Sequence, residues 1–171
     1  MKSPIKIRNA QLSDWEELVR LESLNFSEEE AASPAALKER IERIADTFLV
    51  AELHGQIAGY VVGPAVFSRH LTDDLFAKVT ANPKEGGFIA IQSLSVSPDF
   101  QGQGVGTLLL AALKERASQQ NRQGINLTCH DDLLPYYEMN GFRDEGISDS
   151  VHGGAVWFDM VWENLRYEGA L

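Results

Sequence analysis

The sequence predicts an α+β fold, a mixed and mostly antiparallel sheet flanked by helices, formed as a single domain over residues 1–171. Three observations carry this. Short β-rich runs and stretches with helical apolar spacing are interspersed, and no βαβ unit opens the chain. The 171 residues are 44% hydrophobic and 23% charged, enough for a substantial core and unlike a disordered composition. No repeat, low-complexity segment or charged tail marks a domain boundary.

Ile5-Lys6-Ile7-Arg8 alternates and predicts a half-buried strand. Ser13 followed by Glu16 has the form of a capping box, ahead of Leu18, Leu21 and Leu24, so a first helix is expected from about Asp14 to Leu24. Ser33-Pro34 starts a second helix with Leu37, Ile41 and Ile44 on one face. Thr47–Leu53 and Ile57–Val62 read as a hairpin about His54-Gly55-Gln56. From Pro64 to Gly87 runs a long connection with a short helix at Thr72 to Lys78, a length that suits a substrate-facing lid. Phe88 to Val96 predicts one strand, and Val105 to Arg122 a helix with Leu109, Leu113 and the Ala111-Ala112 pair inward. Gly124 ends that helix, and Ile125–Cys129 is a short strand. Pro135 to Met139 is helical and closed by Asn140-Gly141. Phe142–Ile147 and Ala155–Trp162 form a last pair of strands around His152-Gly153-Gly154.

The formal net charge of −10 argues against nucleic acid as a partner and favours a cationic or neutral one. The single Cys129 excludes an intrachain disulfide and points to a reducing compartment. No signal peptide is evident, and no segment approaches the roughly 20 apolar residues that cross a bilayer. A cytoplasmic location without membrane association is expected. The four histidines (54, 70, 130 and 152) lack metal-ligand spacing, so no metal site is expected.

The chemistry concentrates at Leu94–Leu110, where a buried strand enters a glycine-rich turn and then an apolar helix. Such a turn aligns backbone N–H groups at a helix N-terminus, where the dipole favours an anion. The glycines stand at 102, 104 and 106, and Thr107 occupies the place where a dinucleotide fingerprint needs its third glycine. A P-loop would need a lysine that Gly106-Thr107-Leu108 lacks. What matches is Gln/Arg-x-x-Gly-x-Gly/Ala, here Gln101-Gly102-Gln103-Gly104-Val105-Gly106. About thirty residues on stands Leu127–Phe142, ending in Tyr137-x-x-x-Gly141-Phe142.

In this order and spacing the two segments resemble motifs A and B of the GNAT superfamily of N-acetyltransferases. The likeness is sharpest to the arylalkylamine N-acetyltransferase branch and its bacterial relatives, through Asn25–Ser33, Thr128-Cys129 ahead of Leu134-Pro135-Tyr136-Tyr137, and Ser150–Met160. The resemblance implies the GNAT fold with splayed central strands and acetyl-CoA as acetyl-donor co-substrate. Pantetheine would lie along Leu94, Ser95 and Val96, bonded to the backbone of Leu94 and Val96 as an added strand would be. The pyrophosphate would meet Gln101, Gly102, Gln103, Gly104, Val105, Gly106 and Thr107. Tyr137 would sit near the thioester sulfur as general acid, with Tyr136 pointing elsewhere. Phe26, Glu28, Glu29, Glu30, Gln92 and Trp157 are the expected substrate-binding residues.

A protonated amine must lose its proton before attack. Vertebrate members of the resembled branch carry two histidines on the strand before Val96; here Phe88–Leu94 holds neither histidine nor carboxylate. His130 is the base candidate put forward, beside Asp131, Asp132, Glu28 to Glu30, His152 and a water chain. Cys129 and His130 are adjacent on a strand and face opposite ways, so a thiolate–imidazole pair is not expected. The expected activity is acetyl transfer to the primary amine of a small molecule, aralkylamine- or polyamine-like, by direct attack. The alternatives are an acetyl-CoA sensor without turnover and acetylation of protein N-termini or lysines. A monomer or a homodimer is compatible with the sequence.

Overall fold

The computed structural model describes residues 4–169. Strands β1 (Lys6–Asn9), β2 (Phe48–Leu53) and β3 (Gln56–Val62) join in an antiparallel sheet whose fourth strand is β6 (Ser93–Val96), in the order β1-β2-β3-β6. His54 and Gly55 turn the β2–β3 hairpin with φ of 54° and 74°, the two positive values of a type I′ turn. A second sheet has the order β4-β5-β7-β9-β8, from β4 (Ala65–Val66), β5 (Phe88–Ala90), β7 (Gly124–Cys129), β8 (Arg143–Ile147) and β9 (Phe158–Glu163). Among the described residues only β5 and β7 run parallel.

The run Phe88–Val96 is two strands, not one. Ile91 N–H donates to Asn126 O of β7 and the next amide, Gln92, donates to Val62 O of β3, each at 2.8 Å. The chain changes sheets between those two residues. From there β6 pairs only with β3 while β7 turns away beside β9, so the two central strands splay.

Side-chain alternation along β2 feeds two cores. Phe48 and Val50 join Tyr60 and Val62 beneath Leu18 and Leu21 of α1 (Trp15–Asn25) and Leu37 and Ile41 of α2 (Pro34–Arg43). Leu49 and Ala51 face the other way, onto Leu109, Leu113 and Ala117 of α4 (Val105–Gln119), which also cover Ile89 and Ile125. Two short helices, α3 (Asp74–Ala77) and α5 (Leu134–Met139), stand on the loops around the splay.

Several local expectations differ from the structure. The capping role expected of Ser13 and Glu16 falls to Asp14, which accepts from Gln11 N–H at 2.8 Å and is clamped by Arg8 at 2.8 and 2.9 Å. Inside α4, Ala111 is exposed, and Leu110 and Ala117 take the inward places. That helix stops at Gln119 because Asn121 adopts φ 50°. Arg122 then donates to Pro83 O and Gly86 O at 2.6 and 2.9 Å instead of continuing the helix. In the long connection, β4 is an additional strand, paired with β5.

Candidate active site

Strand β6 presents an open edge at the splay. Ser97 N–H bonds Ala58 O on β3, and an antiparallel ladder alternates its bonds residue by residue. Ser93 and Ser95 therefore turn their backbone groups to β3, while those of Leu94 and Val96 point to the side that β7 has vacated. The Val96 carbonyl accepts from Asn25 Nδ2 at 3.0 Å and keeps a second lone pair. The same Asn25 Nδ2 also donates to Ser95 Oγ, at 2.5 Å.

Beyond the edge, α4 begins without a side-chain cap. Gly104 is its N-cap at φ 77°, in the left-handed region that side-chain-bearing residues rarely adopt, and the first helical bond runs from Leu108 N–H to Gly104 O. The N–H groups of Val105, Gly106 and Thr107 are left over, as at any helix start. Gln101, Gly102, Gln103, Gly104 and Thr107 are exposed, whereas the Val105 side chain is buried in the core. Gly106 is glycine for a different reason from Gly104. A Cβ there would stand 2.4 Å from Tyr136 Oη, so the missing side chain makes room for that hydroxyl.

Where β6 and β7 part, a cavity of about 240 Å³ opens, with Asn25, Phe26 and Glu30 on one side and Thr128, His130, Tyr137 and Trp157 on the other. Tyr137 is 7% exposed, and its hydroxyl makes no hydrogen bond among the described residues. Burial, reinforced by Cys129 and Tyr136, pushes the phenol above its ordinary value. Tyr137 therefore holds its proton at neutral pH. Burial likewise raises the Cys129 thiol, to about 12, which removes it as a thiolate nucleophile.

His130 Nε2 meets Glu30 Oε1 at 2.8 Å, and Nδ1 lies 3.2 Å from Val156 O. Both ring nitrogens face acceptors, an arrangement satisfied in full only by the imidazolium, where both are donors. Burial works against that charge, but the hydrogen bonds to Glu30 and Val156 and the charges of Glu30 and Asp132 outweigh it, so the pKa is raised. The ring stacks on Trp157 with centroids 4.1 Å apart. Across the cavity His152 stacks on Phe76 at 4.0 Å and accepts Trp157 Nε1–H on its carbonyl at 2.7 Å.

Of the expected substrate residues, Phe26, Glu30, Gln92 and Trp157 line this cavity; Glu28 and Glu29 are exposed and do not. Asp131 and Asp132 are likewise exposed and off the wall, while His152 is on it. The sequence reading missed Phe76, although the length of its connection had marked the segment. Among the described residues no group of three or more His, Cys, Asp or Glu is arranged to hold a metal, and no helix is long and apolar enough to cross a membrane.

The open edge, the uncapped helix N-terminus and the cavity adjoin one another at the splay of β6 and β7. A family model, the acetyltransferase (GNAT) domain, matches residues 18–164. The chain belongs to the GNAT acetyltransferase family and is an acyltransferase. Solved structures share the fold at low identity. The loading GNATL domain of CurA from Lyngbya majuscula matches at 15% identity and TM-score 0.76, over 95% of this chain and 98% of that one. The GphF GNAT-like decarboxylase, in complex with isobutyryl-CoA, matches at 18% and 0.77, over 93% and 99%. The ribosomal-protein-S18-alanine N-acetyltransferase from Escherichia coli matches at 15% and 0.70, over 98% and 97%.

Proposed function

We propose that this protein transfers the acetyl group of acetyl-CoA to the primary amine of a small molecule, in the manner of the arylalkylamine branch. The single observation that carries the reading is the His130–Glu30 pair in the cavity that also holds the unpartnered Tyr137 hydroxyl, at the end of the open β6 edge. A binding module without turnover has no need of a base and an acid in one cavity.

The residues fit acetyl-CoA: the edge of Leu94 and Val96 suits the amide-bearing pantetheine arm, and the free N–H groups of Val105, Gly106 and Thr107 suit a pyrophosphate. The thioester supplies an activated acetyl carbonyl. In this reading neutral His130 keeps its Nε2–H on Glu30, which orients the ring and stabilises the imidazolium, and takes the proton of the incoming ammonium on Nδ1 in place of its contact with Val156 O. Tyr137 donates a hydrogen bond to the departing sulfur. A phenol raised above its usual value is a weak acid, so the proton moves only as far as thiolate basicity draws it. The ring faces of Trp157, Phe76 and His152 suit an apolar or aromatic amine body, and Glu30 attracts its cation. The free, buried Cys129 agrees with a reducing compartment, and the cytoplasm remains the proposed location.

The test is thiol release from acetyl-CoA with a panel of aralkylamines, polyamines and peptides with free N-termini. Turnover with small amines is expected. Tight acetyl-CoA binding without any turnover would establish a sensor, and turnover confined to peptides would move the acceptor class to proteins.

A further inference from the structure

The His130 ring is held on three sides. Glu30 Oε1 lies 2.8 Å from Nε2, and Val156 O lies 3.2 Å from Nδ1. One face is covered by the indole of Trp157, with centroids 4.1 Å apart and 25° between the planes. Trp157 is itself locked: it is buried, and its Nε1–H donates to His152 O at 2.7 Å. The turn that supplies this carbonyl is tied down twice more. Asp73 of the long connection accepts from Ser150 Oγ and, at 2.9 Å, from Val151 N–H, while His152 Nε2 lies 3.2 Å from Glu30 O. The indole and Glu30 thus belong to one framework and act on one imidazole. The hydrogen bonds fix the edge of the ring, and the stack fixes its plane. A stacked ring can swing within its plane but cannot tilt, so Nδ1 can leave Val156 O while Nε2 stays on Glu30. The face of an indole also carries negative charge, and tryptophan is the best aromatic partner for a cation.

We propose that Trp157 is a positioning residue for His130, its indole fixing the plane of the imidazole and stabilising the imidazolium that forms when the amine proton is taken. This rests on the reading of His130 as the base. A mere cover over the ring would act in the opposite sense, because excluding water disfavours the charged form of a histidine. The sign of the effect therefore separates the two roles. The other ionisable groups about the ring are Glu30 from the segment after α1 and Asp132 from the turn after β7. Cys129 and Tyr137 stand on the same cavity wall, and His152 lies beyond the indole, 6.0 Å from it and tilted by 40°. All of these stay in place when only the side chain at 157 is changed, so a shift at His130 reports the indole.

The experiment is an NMR titration of the His130 imidazole, assigned with His130→Gln, in the unaltered protein, in Trp157→Leu and in Trp157→Phe. The His130 pKa is expected to fall by about 0.5 pH unit in Trp157→Leu, and by less in Trp157→Phe, which keeps an aromatic face. A rise or an unchanged value in a folded Trp157→Leu protein, checked by thermal melting, overturns the inference. Should the variants fail to fold, 5-fluorotryptophan in place of tryptophan weakens the negative ring face at nearly constant shape. A lowered His130 pKa in that protein upholds the inference, and an unchanged one overturns it. The titration needs no turnover and so does not depend on the acceptor. Where amines are acetylated, the acid limb of the pH–rate profile is expected to move down with the titration. A limb that stays in place while the titration moves upholds the coupling of Trp157 to His130 and overturns the reading of His130 as the base.

Discussion

His130 Nε2 lies 2.8 Å from Glu30 Oε1, joining residues 100 positions apart in the lining of the cavity between β6 and β7. The contact raises the imidazole pKa against the opposing effect of burial. A base must be neutral to accept a proton, so activity is expected to fall as pH drops through this raised value. In Glu30→Gln the partner charge is gone and the pKa returns toward about 6.5. The acid limb of the pH–rate profile therefore shifts to lower pH, while the plateau rate falls because the ring is a weaker and less well oriented base. A profile measured between pH 5 and 9 would show this. An unmoved limb would mean that the ammonium proton leaves by another route.

The hydroxyl of Tyr137 can be removed with little structural consequence, since it has no partner among the described residues and its ring packs edge-on to Tyr136 and Phe142. Tyr137→Phe is expected to lower kcat by about 10²-fold, the scale of general acid catalysis. The KM for acetyl-CoA and the melting temperature should barely change. A kcat within about twofold of the unaltered protein would remove Tyr137 from the acid role.

Element identity was readable wherever periodicity was long, as in α1, α2, α4 and the β2–β3 hairpin. The break between β5 and β6 was not, because a strand that changes sheets keeps its alternation: Ile91, Ser93, Ser95 and Ser97 stay buried while Gln92, Leu94 and Val96 remain half-exposed. Local motifs pointed to Gly104 and Tyr137. They could not pair Glu30 with His130, since a separation of 100 residues has no periodic signature. Nor could they foresee the burial of Arg40. An arginine on an amphipathic helix reads as a solvated side chain, whereas tertiary contacts bury Arg40, whose Nη2 donates to Phe76 O of α3.

Glu145 ties the long connection to β8. Arg69 grips its carboxylate through Nε and Nη2 at 2.9 and 2.6 Å, and His70 Nε2 lies 2.7 Å from Oε1. The Arg69 hydrogen bonds, opposed by burial and joined by His70, hold the carboxyl down at about 2. A depressed acid contributes stability above its unfolded value and loses that contribution as pH falls toward the folded one, here between about 4.5 and about 2. Because Arg69 is well exposed, the contribution is about 0.5–1 kcal/mol. Glu145→Gln should lower the melting temperature by about 1–4 °C at pH 7, a gap that closes as pH approaches 2. Equal melting temperatures at pH 7 would show the ion pair to be energetically silent.

Gly106 and Tyr136 form a lock at the start of α4 that separates a steric requirement from an anion-binding one. An alanine Cβ at 106 would sit 2.4 Å from Tyr136 Oη but 3.6 Å from Cζ, so the hydroxyl alone is the obstacle. Gly106→Ala should destabilise the protein by about 1–3 kcal/mol, as overpacking does. Tyr136→Phe removes the obstructing atom and should cost little on its own, so the double variant should regain most of the lost stability, seen as a coupling in thermal melts. Acetyl-CoA affinity should recover in parallel, since the N–H groups of α4 would return to their places. Recovery of stability without recovery of affinity would show that the missing Cβ at 106 serves the ligand directly, and that the lock with Tyr136 is incidental to binding.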